Sequence, residues 1–190
     1  MKAFIFGDSN VDVTVVWNKL RKALPTLPSK KQEKILAARE LAKESGADVE
    51  IYLRSPDKEL SGVFHSLRPS VRLGGCGAIK SKVMAGQGHD VSFYSWVGND
   101  AYGDIILAEL EKAGANVSNV SRLGKTCETF NIFEKGKPRV AVSFWKNKSD
   151  FSAFEKDCKS QKPDAIFLAG AHRSKKPLGY VRLPGAYVFT

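Results

Sequence analysis

Ala3-Phe4-Ile5-Phe6 is a continuous apolar run closed by Gly7-Asp8, and it predicts a buried strand over Lys2–Phe6. Val11, Val13 and Val15 then alternate with Asp12, Thr14 and Val16, which predicts a second extended segment. Trp17 to Pro28 is basic and holds two prolines, so a short helix and a loop are expected there. Ser29 with Gln32 three residues on reads as a capping box. The helix it opens would bury Ile35, Ala38, Leu41 and Ala42 and stop at Gly46. Asp48–Leu53 reads as a strand, and residues 54–70 read as a polar connection.

Beyond Leu73 the alternation becomes more regular. The glycine turn Gly74-Gly75-Cys76-Gly77 precedes a helix over Ala78–Ala85, which Gly86-Gln87-Gly88 ends. A strand over Val91–Val97 leaves through Gly98-Asn99-Asp100. The next helix, Tyr102–Ala113, places Ile105, Ile106, Leu110 and Ala113 near one face, and Gly114 stops it. Val117–Val120 reads as extended. In residues 127–146, Phe130 and Ile132 share one strand face, while Val140, Val142 and Phe144 share a face of the next. Lys135-Gly136-Lys137-Pro138 joins the two as a hairpin, which reads as an antiparallel flap. A helix over Phe151–Lys159 and a short apolar strand over Ala165–Leu168 follow. Strands alternating with helices predict an α/β fold with a mainly parallel sheet.

Glycines before a helix let the backbone approach a polar ligand, and the helix start offers N–H donors. Gly74-Gly75-x-Gly77 could equally be a plain tight turn. It fits a dinucleotide fingerprint poorly, because the third glycine is misplaced and no acidic residue closes a following strand. The longer pattern is more informative. After Gly74-Gly75-x-Gly77 come Ser81, Gly88 and then Val97-Gly98-Asn99-Asp100-Ala101-Tyr102-Gly103. This resembles the first signature of the ribokinase-like (PfkB) carbohydrate kinases, whose glycines are followed by a "VG-x-D-x-x-G" segment. Gly7-Asp8-Ser9-Asn10-Val11-Asp12 resembles the first strand and "N-x-D" exit of the same family. The resemblance covers residues 1–16 and about 70–170, with an unusual insertion between them.

The resemblance implies a Rossmann-like, ribokinase-type parallel sheet flanked by helices, with the 127–146 hairpin as a small antiparallel β lid. It implies phosphoryl transfer from ATP, with magnesium, to a hydroxyl of a sugar or nucleoside. Asn10 and Asp12 would hydrogen-bond substrate hydroxyls, and the backbone at Gly74 and Gly75 would approach the sugar closely. The lid would exclude water. Trp145, on the opposite hairpin face from Phe144, could serve the lid, a homodimer contact or the core.

Two departures from the family pattern stand out. Ile79 lies where the family has an asparagine, and an aliphatic side chain cannot hydrogen-bond a hydroxyl. The second is larger: no "N-x-x-E" or "D-T-x-G-A-G-D" segment occurs, so the family's catalytic base and anion hole are missing. No residue of this chain is therefore assigned a catalytic role, and the main ATP and magnesium sites would be absent. The expectation is the front half of such a kinase, an incomplete domain over residues 1–172 that is inactive alone. Arg173–Thr190 would be a divergent tail, with four basic residues and no acidic one, produced by a frameshift or premature stop. A non-catalytic sugar-binding or regulatory module is the second reading, and a basic nucleic-acid-associated protein is the third.

Composition narrows these alternatives. With 43% hydrophobic and 26% charged residues, the chain is neither disordered nor fibrous. No apolar run reaches the roughly 18–20 residues of a membrane span, and the first is too short for a signal peptide. Cys76, Cys127 and Cys158 are too widely spaced for a zinc pattern and odd in number, which suits reduced thiols in a cytoplasm. His65, His89 and His172 show no metal or triad spacing. The net charge of +10 raises the question of an anionic partner. Lys19, Arg21, Lys22, Lys30, Lys31 and Lys34 cluster before and at the start of the first long helix. No nucleic-acid motif accompanies them, so a solvated face is preferred to a nucleic-acid patch.

Overall fold

The computed structural model describes residues 1–53, 58–67, 69–144, 151–169 and 187–189. The elements run β1 (Lys2–Gly7), β2 (Asn10–Val16), α1 (Trp17–Ala23), a 3-10 turn (Leu24–Thr26), α2 (Ser29–Ser45), β3 (Val49–Leu53), α3 (Lys58–Ser66) and β4 (Ser70–Gly74). They continue with α4 (Cys76–Gly86), β5 (Asp90–Val97), α5 (Ala101–Lys112), β6 (Val120–Arg122), β7 (Cys127–Phe133), β8 (Val140–Phe144), α6 (Phe151–Gln161), β9 (Ala165–Ala169) and β10 (Tyr187–Phe189). The chain divides into two compact units. One is Met1–Val11, Leu73–Thr126 and Asn147–Thr190, and the other is Asp12–Arg72 and Cys127–Lys146.

The first unit holds a sheet of order β10-β9-β1-β5-β6. All of its pairings are parallel. A parallel sheet is covered on both faces, so its central strands read as unbroken apolar runs. Ala3 to Phe6 are accordingly buried throughout. On one face Phe4, Phe6, Tyr94, Ile166 and Leu168 form a cluster with Phe154 and Cys158 of α6. The other face meets α4, whose Lys80 ammonium lies 6.0 Å from the Phe167 ring centroid. The chain leaves β1 for β5 on one side and returns to β9 on the other. β1 is therefore the topological switch point, where open α/β sheets bind ligands at their carboxyl ends.

The second unit is built on the mixed sheet β3-β8-β7-β2-β4. The hairpin β7–β8 is antiparallel as expected, with Phe130 opposite Val142 and Ile132 opposite Val140. It is more than a two-stranded flap, because β3 pairs in parallel with β8 and puts Ile51 beside Val142. One sheet face is apolar and covered by helices: Phe64 of α3 stacks on Phe130 at 4.4 Å between ring centroids. The other face carries Glu50, Thr129, Asn131 and Ser143. Ser143 Oγ donates to Glu50, Thr129 and Ser143 hydroxyls meet at 2.9 Å, and Arg139 Nη1 donates to Asn131 Oδ1 at 2.8 Å.

Several expectations are corrected. α2 has no capping box: Ser29 is its first helical residue, Pro28 is the N-cap, and Gln32 Nε2 donates to the Leu27 carbonyl at 2.6 Å. Within α2, Ile35, Ala38 and Ala42 are buried, but Leu41 is 54% exposed, since it turns off the packed stripe. The connection after β3 contains a helix, α3, because Leu60 and Phe64 recur at helical spacing and both are buried. Residues 70–74 form β4, where Ser70-Val71-Arg72-Leu73 alternates in hydropathy over too short a run to stand out and Val71 is exposed along with Arg72. In α5 Ile106 and Leu110 are buried, whereas Ile105 is exposed. The extended segment starts at Val120 rather than Val117, preceded by a single bridge between Asn116 and Ser92. β10 lies within the stretch read as a tail and pairs with β9, Tyr187 opposite Ala165. Trp145, His172 and residues 173–186 lie outside the described residues.

Candidate functional site

The carboxyl end of β1 is tied down by short polar contacts. Ser95 Oγ donates to the Gly7 carbonyl at 2.7 Å, and Ser9 Oγ donates to the Trp96 carbonyl at 2.6 Å. Both serines are buried, so these bonds satisfy groups that would otherwise be costly to bury. They fix the direction in which the chain leaves β1 toward Asn10.

Gly75 sits against that exit. Its φ of +89° with ψ of 128° lies outside the regions that side-chain-bearing residues adopt. A Cβ placed there would lie 2.7 Å from the Asp8 carbonyl oxygen and 2.8 Å from Asn10 Oδ1. Two of the sequence-predicted site residues, Asn10 and Gly75, are thus brought into contact within the first unit. Gly74 is buried as the last residue of β4. Asp12 belongs to the second unit, half-buried on β2, where it shares a strand face with Thr14 opposite buried Val13 and Val15.

The start of α4 does not offer free donors, contrary to the expectation for a glycine turn. Gly77 N–H donates to Asp8 Oδ1 at 3.3 Å, and Ala78 N–H donates to the Asp8 carbonyl at 3.1 Å. An aspartate already occupies the position an anion would take, and its negative charge suits the helix N-terminus. Two of the first N–H donors of α4 are thereby spent on Asp8. Asp8 belongs to the N-terminal motif, but its spacing there does not mark it as a site residue. The polar alternation of Thr129 and Asn131 between Phe130 and Ile132 is a further signal in the sequence, and it marks the polar face of the second unit's sheet.

The Val97–Gly103 segment has a structural role. Asp100 caps α5 by accepting from Gly103 N–H at 2.9 Å. It also accepts from Thr126 N–H at 2.9 Å and from Thr126 Oγ1 at 2.6 Å. Gly98 N–H donates to Thr126 Oγ1 at 3.0 Å, which closes the loop. Both carboxylate oxygens are thus engaged within the fold. Burial works to raise the Asp100 pKa. The hydrogen bonds from Thr126 and Gly103, with the nearby Lys125 charge, outweigh it and hold the carboxyl below its ordinary value of 3.8.

Because the folded-state pKa is lower than the unfolded one, ionised Asp100 contributes stability above the unfolded value. That contribution is lost as pH falls through the folded value. Asp100→Asn turns an amide donor toward Thr126 donors, and is expected to cost about 1–3 kcal/mol near neutral pH. Its stability should fall less steeply than that of the unsubstituted chain between about pH 5 and 3. Urea denaturation across that range checks both, and an unchanged acid limb would show that Asp100 does not carry it.

None of the three cysteines forms a disulfide. Cys76 is exposed, whereas Cys127 and Cys158 are buried, and burial together with Asp157 pushes the Cys158 thiol up to about 12. Among the described residues no group of three or more His, Cys, Asp or Glu gathers to hold a metal ion. None of the helices there is long and apolar enough to cross a membrane.

The pattern of the pfkB family of carbohydrate kinases matches residues 45–180, which extends it across part of the insertion and eight residues past position 172. No curated relative matches the chain. Solved structures share its fold. Adenosine kinase from Schistosoma mansoni in complex with 2-fluoroadenosine is 10% identical with a TM-score of 0.58, over 87% of this chain and 46% of that one. Adenosine kinase from Sinorhizobium meliloti is 13% identical with a TM-score of 0.54, over 91% of this chain and 59% of that one. A PfkB protein from Polaromonas sp. JS666 is 14% identical with a TM-score of 0.52, over 88% and 44%. The chain spans about half the length of these structures. With the family pattern matching well over half of its residues, on a sheet whose switch point carries the glycine turn, the chain belongs to the PfkB family of carbohydrate kinases.

Proposed function

We propose that this chain carries the acceptor-binding portion of a ribokinase-like kinase. It binds a sugar or nucleoside and does not complete phosphoryl transfer alone. The observation that carries the reading is the backbone at Gly75, which has no room for a side chain beside Asn10 at the carboxyl end of β1. Asn10 supplies an amide in the first unit, a group that both donates to and accepts from hydroxyls, and Asp12 supplies a carboxylate in the second. The neighbouring helix start is already neutralised by Asp8, so the site favours an uncharged polyol over a phosphate.

Kinases of this family use ATP. Phosphoryl transfer depends on positioning and on stabilising developing charge. The described residues do not fit that part of the reaction. No segment of the chain resembles the family's base-bearing motif. No residue is assigned to ATP or magnesium.

Ile79 is 45% exposed on the first turn of α4, so it contributes little to the core. Its exposure suits a position that would hold an amide in a polyol-binding relative. Calorimetric titration with ribose, fructose and adenosine tests the reading. At least one should bind, and Asp12→Ala should weaken it by about tenfold or more, the loss of a charged hydrogen bond. Ile79→Asn should leave folding intact and tighten binding. A coupled assay with ATP and magnesium should show no sugar-dependent turnover. Turnover would overturn the claim that transfer is incomplete, and absence of binding to all three would overturn the acceptor-site assignment.

A further inference from the structure

The second unit holds a cavity of about 310 Å³ on the helix-covered side of its sheet. Ile35 of α2, Ile51 of β3, Leu60 of α3 and Val142 of β8 make an apolar floor. The mouth is formed by the start of α2, where Lys30, Lys31 and Lys34 stand. The volume is at the lower end of the roughly 300–1,000 Å³ typical of small-molecule sites. Its lining comes from α2, α3, the edge strand β3 and its neighbour β8, on the face opposite Glu50, Thr129, Asn131 and Ser143. None of Asn10, Asp12, Gly74 and Gly75 lines it.

The charge arrangement is costly without a ligand. α2 has no acidic residue in its first turn and no side-chain cap. Its first two turns carry Lys30, Lys31 and Lys34 against Glu33 alone, beside the positive end of the helix dipole, which is the unfavourable end for cations. Among the described residues Lys31 pairs with Glu59 at 2.5 Å, while no acidic group pairs with Lys30 or Lys34. A cationic rim above an apolar floor complements a molecule with an apolar body and one anionic head.

We propose that this cavity binds a small amphiphilic anion, such as a medium-chain carboxylate, with its chain on Ile35, Ile51, Leu60 and Val142 and its head at Lys30 and Lys34. The head would offset the lysine repulsion at the start of α2, and the chain would remove apolar surface from water. A phosphate-headed molecule with the same body shares this chemistry, so the head group is left to the probes.

Titration of the full chain with octanoate, octyl phosphate, octanol and inorganic phosphate, followed by methyl NMR, tests the proposal. Octanoate or octyl phosphate should bind at least about tenfold more tightly than octanol or inorganic phosphate. The shifted methyl resonances should be those of Ile35, Ile51, Leu60 and Val142. Lys30→Glu with Lys34→Glu, both at exposed positions, should weaken the charged probe by about tenfold or more while leaving ribose, fructose and adenosine titrations unchanged. Equal binding of octanol, insensitivity to the charge reversal, or methyl shifts elsewhere would overturn it. Failure of sugar binding would leave these readings unaffected.

Discussion

Gly98→Ala is expected to destabilise the first unit by about 3 kcal/mol or more, a large part of the roughly 5–15 kcal/mol that holds a domain together. The reason is space rather than backbone conformation. A Cβ at position 98 would lie 2.1 Å from the Thr126 nitrogen and 2.5 Å from the Lys125 carbonyl carbon. Both are backbone atoms, so no rotamer change relieves the clash. Moving Thr126 away would break its bonds to Asp100 and the bond that Gly98 N–H donates to Thr126 Oγ1. The cap of α5 would loosen with the same displacement. Gly86→Ala is the control, since a Cβ there meets nothing within 4 Å. At the end of α4 it should be neutral or stabilising by up to about 1 kcal/mol. Urea denaturation of both variants decides the matter, and equal stability would refute the packing account of the Val97–Gly103 segment.

Phe154→Ala should cost about 3–5 kcal/mol, the range for emptying a buried aromatic site. Phe154 is fully buried, and its ring lies 5.3 Å from Phe6, 5.1 Å from Tyr94 and 5.3 Å from Phe151. It is the main side chain through which α6 covers one face of β1 and β5. One turn on, the Tyr94 hydroxyl donates to Asp157 Oδ2 at 3.0 Å, so loss of the ring should also release that bond. The matched control is Phe133→Ala on β7, which is 44% exposed and should change stability by about 0.5 kcal/mol or less. Thermal unfolding followed through tyrosine absorbance would report both the lost stability and the freed phenol. A cost for Phe154→Ala no greater than for Phe133→Ala would mean that α6 is not part of the cooperative core.

The strands of the first unit are legible in the sequence because they are short and fully apolar. Ala3–Phe6, Val91–Val97 and Ala165–Leu168 each admit few other readings once flanked by glycine or charge. The hairpin is legible from two alternating segments and a turn holding glycine and proline. The elements that pattern does not reveal share a physical cause. β4 alternates only over Ser70-Val71-Arg72-Leu73 and is mostly exposed, Val71 as well as Arg72, so its pairing is decided by its place at a sheet edge. α3 is hidden by a polar composition in which Leu60 and Phe64 carry nearly all of the burial. The capping box at Ser29 fails because Pro28 directs the chain so that Gln32 reaches Leu27.

Of the site residues, the positions of Asn10, Asp12, Gly74 and Gly75 follow from motif spacing. Spacing cannot show that Asp8 fills the start of α4, because that bond links residues 69 positions apart. Nor can it show which lysines of a basic run border a cavity, since the floor is assembled from α2, β3, α3 and β8. The sequence by itself determined the family, the parallel α/β character and the residues about the glycine turn, because these rest on local conformation and short-range pattern. Only the tertiary structure decided which donors are spent, which charges are paired and where apolar surface is enclosed, because each of those depends on groups that meet across long stretches of chain.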